Sequence, residues 1–100
     1  MPYGLSDNDL ARIVGVLAMN GRVEQAILFG SRAKGTHKPG SDVDIALKGA
    51  GLTLNDLLTL SVALDELWIP LRVDLLLYNR IDEPALLDHI DRVGKNLMLR

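Results

Sequence analysis

Three aspartates and one glycine-led basic loop have the residue types and spacing that phosphate chemistry needs. Asp42 and Asp44 stand two apart in Ser41-Asp42-Val43-Asp44-Ile45-Ala46-Leu47. On a strand that spacing points both carboxylates to one face. Two carboxylates so close repel one another and raise each other's pKa. A divalent cation removes the repulsion, and oxygen ligands suit magnesium or manganese. Asp74 is the one acid in the otherwise apolar run Val73 to Leu77. If the two strands are neighbours, its carboxylate completes a cluster of three. Upstream, Gly30-Ser31 follows a short apolar run, and Arg32, Lys34 and Lys38 lie between Gly30 and Gly40 with no acid among them. A chain turning from a strand into a short helix at Gly30 presents free backbone N–H groups that suit a phosphate. Three acids beside such a loop match metal-assisted phosphoryl or nucleotidyl transfer.

Plainer roles compete at each position. Asp42 and Asp44 also fit a solvent-facing strand edge, and Asp74 fits an ion pair with Arg72 or Lys48. Ser31 fits a simple helix cap, which uses the same N–H geometry as phosphate binding. Arg32 suits a structural ion pair as well as a ligand contact, and Lys34 and Lys38 suit solvated surface cations. Gly30 and Gly35 have the spacing of a P-loop, but Thr36 stands where its lysine must be, so that motif is rejected. His37 and His89 are too isolated in sequence to form a metal site. Tyr3, Tyr78 and Trp68 make no base-stacking platform and read as core or edge packing.

The elements that must position these residues follow from capping and periodicity. Ser6-Asp7-Asn8-Asp9 has capping-box spacing, and Leu10, Ile13, Val14 and Leu17 recur at helical intervals, predicting a helix over about 7–19. Ala26 to Phe29 and Val43 to Leu47 read as strands, the second with one polar face. Thr53-Leu54-Asn55-Asp56 opens a second long helix reaching about Leu67. Its leucines wrap more than one face, which fits either a partner surface or burial on two sides. Arg72 to Leu77 is a third strand. Asp82-Glu83-Pro84 starts a last helix with the stripe Leu86, Leu87, Ile90 and Val93, ended by Gly94. Asn96 to Leu99 adds a short edge strand. The order predicts an α/β (α+β) fold, a small mixed sheet with helices mainly on one face.

Composition bounds the rest. The 100 residues correspond to one small domain, 48% hydrophobic but only 4% aromatic, so the core must be aliphatic. A net charge of −2 excludes a basic nucleic-acid coat protein and makes direct nucleic-acid binding unexpected. The absence of cysteine excludes disulfides, thiolate zinc sites and thiol nucleophiles. No signal peptide or membrane-spanning run is evident, so a cytoplasmic protein is expected.

Gly30-Ser31, ten further residues and then Asp42-Val43-Asp44 resemble the signature of the DNA polymerase β-like nucleotidyltransferase superfamily. The run from Leu28 through Gly35, with Ser41 to Asp44, resembles its minimal nucleotidyltransferase (MNT) branch most. The likeness extends over nearly the whole chain. It implies that Asp42 and Asp44 bind magnesium, or manganese, and that Asp74 completes the site and helps deprotonate an acceptor hydroxyl. It also implies that Gly30 and Ser31 hold a nucleoside triphosphate, with Arg32 or Lys34 neutralising it. Lys34 stands where many relatives carry arginine, which keeps the charge but loses the planar fork. The resemblance further implies ATP as donor, AMP as the group transferred and a HEPN-type toxin as partner, the MNT chain being the antitoxin. A small single domain leaves the acceptor surface to that partner, to a second copy of the chain, or to the acceptor itself. An antitoxin that neutralises by occlusion alone, and transfer to a small-molecule acceptor, are the other two readings.

Overall fold

The structure, a computed structural model, describes residues 1–100. A single turn of 3-10 helix at Pro2–Gly4 leads into α1 (Asp7–Ala18), β1 (Gln25–Phe29) and α2 (Gly30–Lys34). There follow β2 (Val43–Lys48), α3 (Leu54–Asp65), β3 (Val73–Leu77), a 3-10 turn at Tyr78–Arg80, α4 (Pro84–Val93) and β4 (Lys95–Leu99). No helix is long and apolar enough to cross a membrane.

The four strands form one sheet in the order β3-β2-β1-β4. β1 is antiparallel to both β2 and β4, whereas β2 and β3 are parallel. A parallel pair cannot be joined by a tight turn, and α3 supplies the crossover.

Side-chain alternation along the strands separates the two faces. Val43, Ile45 and Leu47 of β2 join Leu28, Leu75 and Leu77 in the larger core, which Ile13 and Leu17 of α1 and Leu60 and Leu64 of α3 cover. The intervening residues point the other way. Ile27, Phe29 and Ala46 form a smaller core closed by Ile90 of α4. Two of the three long helices therefore share a face, and α4 takes the opposite one. β1 is apolar on both sides, so its second face also has to be covered.

Local chemistry sets the helix ends. Ser6 Oγ accepts from Asp9 N at 3.0 Å and caps α1. Thr53 and Asp56 form a reciprocal capping box at the start of α3. Asp56 also receives Arg22 at both carboxylate oxygens, at 3.0 and 2.6 Å, and Asn20 Nδ2 at 3.2 Å. This buried carboxylate thus ties α3 to the loop after α1. At the far end of α4, a Cβ on Gly94 would lie 2.4 Å from the Ile90 carbonyl oxygen and 2.5 Å from Ile27 Cγ2. Only glycine lets the chain turn there so close to β1.

One expectation changes and one open alternative is resolved. Trp68 does not pack into a core or against an edge; it is 90% exposed at a left-handed turn, φ 56°. The chain reverses there after α3, which carries the indole away from the sheet. α3 is buried along Asp56, Leu60 and Leu64 but leaves Leu54, Leu58 and Val62, four residues apart, exposed. Of the two readings of its leucines, the unpartnered stripe is the one found.

Candidate active site

β1 ends at Phe29, and the first residue of α2 follows without a linker. Asp44 is the register partner of Phe29 across β1–β2 and of Asp74 across β2–β3. Paired residues on adjacent strands point to the same face. Asp44 and Asp74 therefore stand side by side on the α4 face of the sheet, with Asp42 just before β2. The Asp44 carboxyl is pushed above the ordinary aspartate range, first by desolvation and then by repulsion from Asp74 and Asp42. The pattern is that of an anionic patch whose charge the protein leaves only partly compensated.

Gly30 is the hinge between strand and helix. Its φ of 75° lies in the left-handed region, and a Cβ built on it would stand 2.5 Å from Asp44 Oδ2. Both facts require glycine. Its N–H donates to His89 Nε2 at 3.0 Å. Ser31 follows on the first turn, half-buried, where the N–H groups of a helix have no intrahelical acceptor. Lys34 is exposed at the end of α2, which Gly35 closes at φ 79°.

Arg32 is turned the other way. It is 1% exposed, and every nitrogen of its guanidinium is occupied by main-chain carbonyls. Nε and Nη2 donate to Ser41 O at 3.0 and 2.9 Å, Nη2 to Pro39 O at 3.2 Å and Nη1 to Tyr3 O at 2.9 Å. The expected phosphate contact from Arg32 is therefore replaced by a structural one, with carbonyls in place of the expected carboxylate. Arg32 pins the connection between α2 and β2 to the N-terminal turn, which fixes where Asp42 emerges.

Asp44 and Asp74 share a face and Asp42 lies near enough to repel Asp44, but the three do not close into a triad. No three Asp, Glu or His side chains surround one point. Arg72 precedes Asp74 by two residues and so reaches the same side, where its Nε donates to Asp74 Oδ1 at 2.8 Å. The ion pair that competed with the catalytic reading of Asp74 is present, formed by Arg72. Lys48 instead lies over the Tyr78 ring, 4.2 Å from its centroid. The donor set nonetheless suits a hard divalent cation: carboxylate oxygens only, with unrelieved repulsion at Asp44. A groove of about 460 Å³ between α1 and α3 is lined by none of these acids.

His89 is the residue that sequence reasoning passed over. It lies on α4, three residues after Leu86 and next to buried Ile90, and its ring meets Phe29 edge-on with centroids 6.2 Å apart. Its place on the apolar side of α4 was visible in the periodicity. Its meeting with Gly30 depends on α4 crossing the end of β1, which no local pattern encodes.

The family model described as polymerase beta, nucleotidyltransferase matches residues 6–100. A Methanocaldococcus jannaschii protein that carries the name of a protein adenylyltransferase is 40% identical over 85 residues, 83% of this chain and 88% of the relative. Among solved structures, a toxin–antitoxin complex with AMP-PNP contains a chain 28% identical, with a TM-score of 0.75 over 96% of this chain and 75% of that one. A complex of a tri-AMPylated Shewanella oneidensis HEPN toxin with its MNT antitoxin shares the fold. There the identity is 21%, with a TM-score of 0.72 over 96% of this chain and 74% of that one.

Proposed function

The chain belongs to the polymerase β nucleotidyltransferase family and is a nucleotidyltransferase, and from that premise we propose that it transfers AMP from ATP to a hydroxyl of a HEPN-type partner protein, acting as its antitoxin. The observation that carries this reading is the register pairing of Asp44 with Asp74 beside the Gly30 turn that opens α2, with Asp42 close enough to repel Asp44. The 40% identical relative named as a protein adenylyltransferase and the toxin–antitoxin chain solved with AMP-PNP support the donor and the acceptor class.

Asp42 and Asp44 would hold a magnesium or manganese ion, with Asp74 joining them once Arg72 releases it. Such an ion, when bound, would offset the charge of the triphosphate and acidify a nearby hydroxyl. The first turn of α2, with Gly30 and Ser31, would cradle the phosphates, and Lys34 would add positive charge at the rim. Asp74 is the group that would take the acceptor proton. The acceptor oxygen then forms a bond to the α-phosphorus of ATP, the bond from that phosphorus to the bridging oxygen breaks, and pyrophosphate leaves. The exposed stripe of Leu54, Leu58 and Val62 gives the partner an apolar surface to dock on. Action in the cytoplasm, where ATP is at hand, belongs to the same proposal.

The test uses α-labelled ATP and magnesium with the wild type and with Asp42→Ala/Asp44→Ala, each with and without the co-expressed partner. Label on the partner with the wild type alone supports the proposal. An inhibited, unlabelled partner with both forms would leave an antitoxin that works by occlusion.

A further inference from the structure

We propose that His89 is a positioning residue of the nucleotide site, holding Gly30 N–H and with it the turn that sets α2 against Asp44. The inference deepens the nucleotidyl-transfer reading and rests on it. One imidazole meets both sides of the strand-to-helix junction. It packs in a T-shaped arrangement with the ring of Phe29, the last residue of β1, with planes at 82°. Its Nε2 accepts from Gly30, the first residue of α2, at 3.0 Å. Gly30 is also the residue that stands directly over Asp44 Oδ2.

Any shift of this turn therefore alters the phosphate cradle and the clearance over Asp44 together. An acceptor at Nε2 requires a neutral ring with its proton on Nδ1. Ile90, 1% exposed, anchors α4 on the sheet independently of its neighbour. The acceptor at position 89 can thus be removed without undocking the helix.

His89→Gln and His89→Leu separate these roles, because glutamine Oε1 has about the reach of Nε2 and leucine offers no acceptor. The readouts are exchange of the Gly30 amide, the nitrogen-15 shifts of the wild-type His89 ring, ATP affinity by calorimetry, kinetics and the melting temperature. The proposal expects the Nδ1–H tautomer in the wild type. It expects His89→Leu to lose Gly30 protection and to weaken ATP about tenfold, the scale of one hydrogen bond. The KM for the acceptor and the melting temperature stay close to wild type, and His89→Gln recovers most of the loss. An Nε2–H tautomer, a Gly30 amide equally protected in His89→Leu, unchanged ATP affinity, or a glutamine no better than leucine would each overturn it. A wild type that binds ATP in a His89-dependent way yet labels no acceptor would sink the transfer reading and leave this one standing.

Discussion

Gly30 and Asp44 occupy one another's space: the position of a Cβ on residue 30 lies 2.5 Å from Asp44 Oδ2, and the backbone there is left-handed. The two residues are thus mutually fitted, one by lacking a side chain and the other by filling the gap.

Gly30→Ala should consequently fail twice. The left-handed backbone costs on the order of 1–2 kcal/mol for a residue with a Cβ. The added methyl displaces the Asp44 carboxylate as well. Chemical denaturation should show that loss, and transfer activity should fall by more than the stability change explains, by about a hundredfold.

Asp44 should make the protein less stable at neutral pH than its amide counterpart. Its folded pKa is raised, by desolvation first and by Asp74 and Asp42 next. The native state binds that proton more tightly than the unfolded chain does. The cost is therefore present while Asp44 is ionised and is relieved as pH falls through the raised value. Asp44→Asn should melt higher than wild type near pH 7, with the gap narrowing on acidification, and should have no transfer activity. Magnesium should raise the wild-type melting temperature and leave that of Asp44→Asn unchanged.

Asp56 contributes with the opposite sign. Its carboxyl is held far below the ordinary range, chiefly by the Arg22 side chain, with Thr53 N–H, Asn20 and the Thr53 hydroxyl adding to it against desolvation. Its stabilisation is complete above the unfolded value of about 3.9. It is lost as pH falls below that towards the folded pKa. Melting curves from pH 5 down to pH 2 should fall less steeply for Asp56→Asn than for wild type, from a lower starting point.

Arg32→Lys should behave as a core lesion. A single ammonium cannot serve the carbonyls of Tyr3, Pro39 and Ser41 together, and each carbonyl left buried without a donor costs about 1–3 kcal/mol. Limited proteolysis should find cleavage within residues 35–41 accelerated. An ATP affinity lost at unchanged stability would instead return Arg32 to the phosphate site.

Arg72→Gln should release Asp74. The pair is solvent-exposed on the arginine side, so thermal stability should hardly move. Titration with manganese should show tighter binding than in the wild type, because the carboxylate no longer has a competing cation.

The contrast between these residues shows what local pattern encodes. Capping and periodicity placed α1, α3 and the first three strands, because Ser6, Thr53 and the apolar repeats act within a few residues of themselves. The Asp42–Asp44 spacing carried its geometry with it, since alternation on a strand is a local rule. The adjacency of Asp44 and Asp74 was conditional on β2 and β3 pairing, and the parallel register supplies it. Arg32, Arg22 and His89 were opaque for a different reason. Their partners lie 7 to 59 residues away, and a lone charge or imidazole carries no sign of the element that will cross it. α4 covers the second face of the sheet because Ile27 and Phe29 leave it apolar, a demand written in β1 rather than in α4.

The grip of Arg32 on the connection between α2 and β2 has a further consequence, for how this segment can diversify. Arg32 reads carbonyl oxygens, which every amino acid possesses, and not the side chains that carry them. The loop's path is thereby uncoupled from much of its spelling. Positions such as Thr36 and Lys38, both exposed, can be rewritten while the backbone still delivers Asp42 to the same place. The rim beside Asp42 is thus a surface whose chemistry can change without the acidic face being rebuilt.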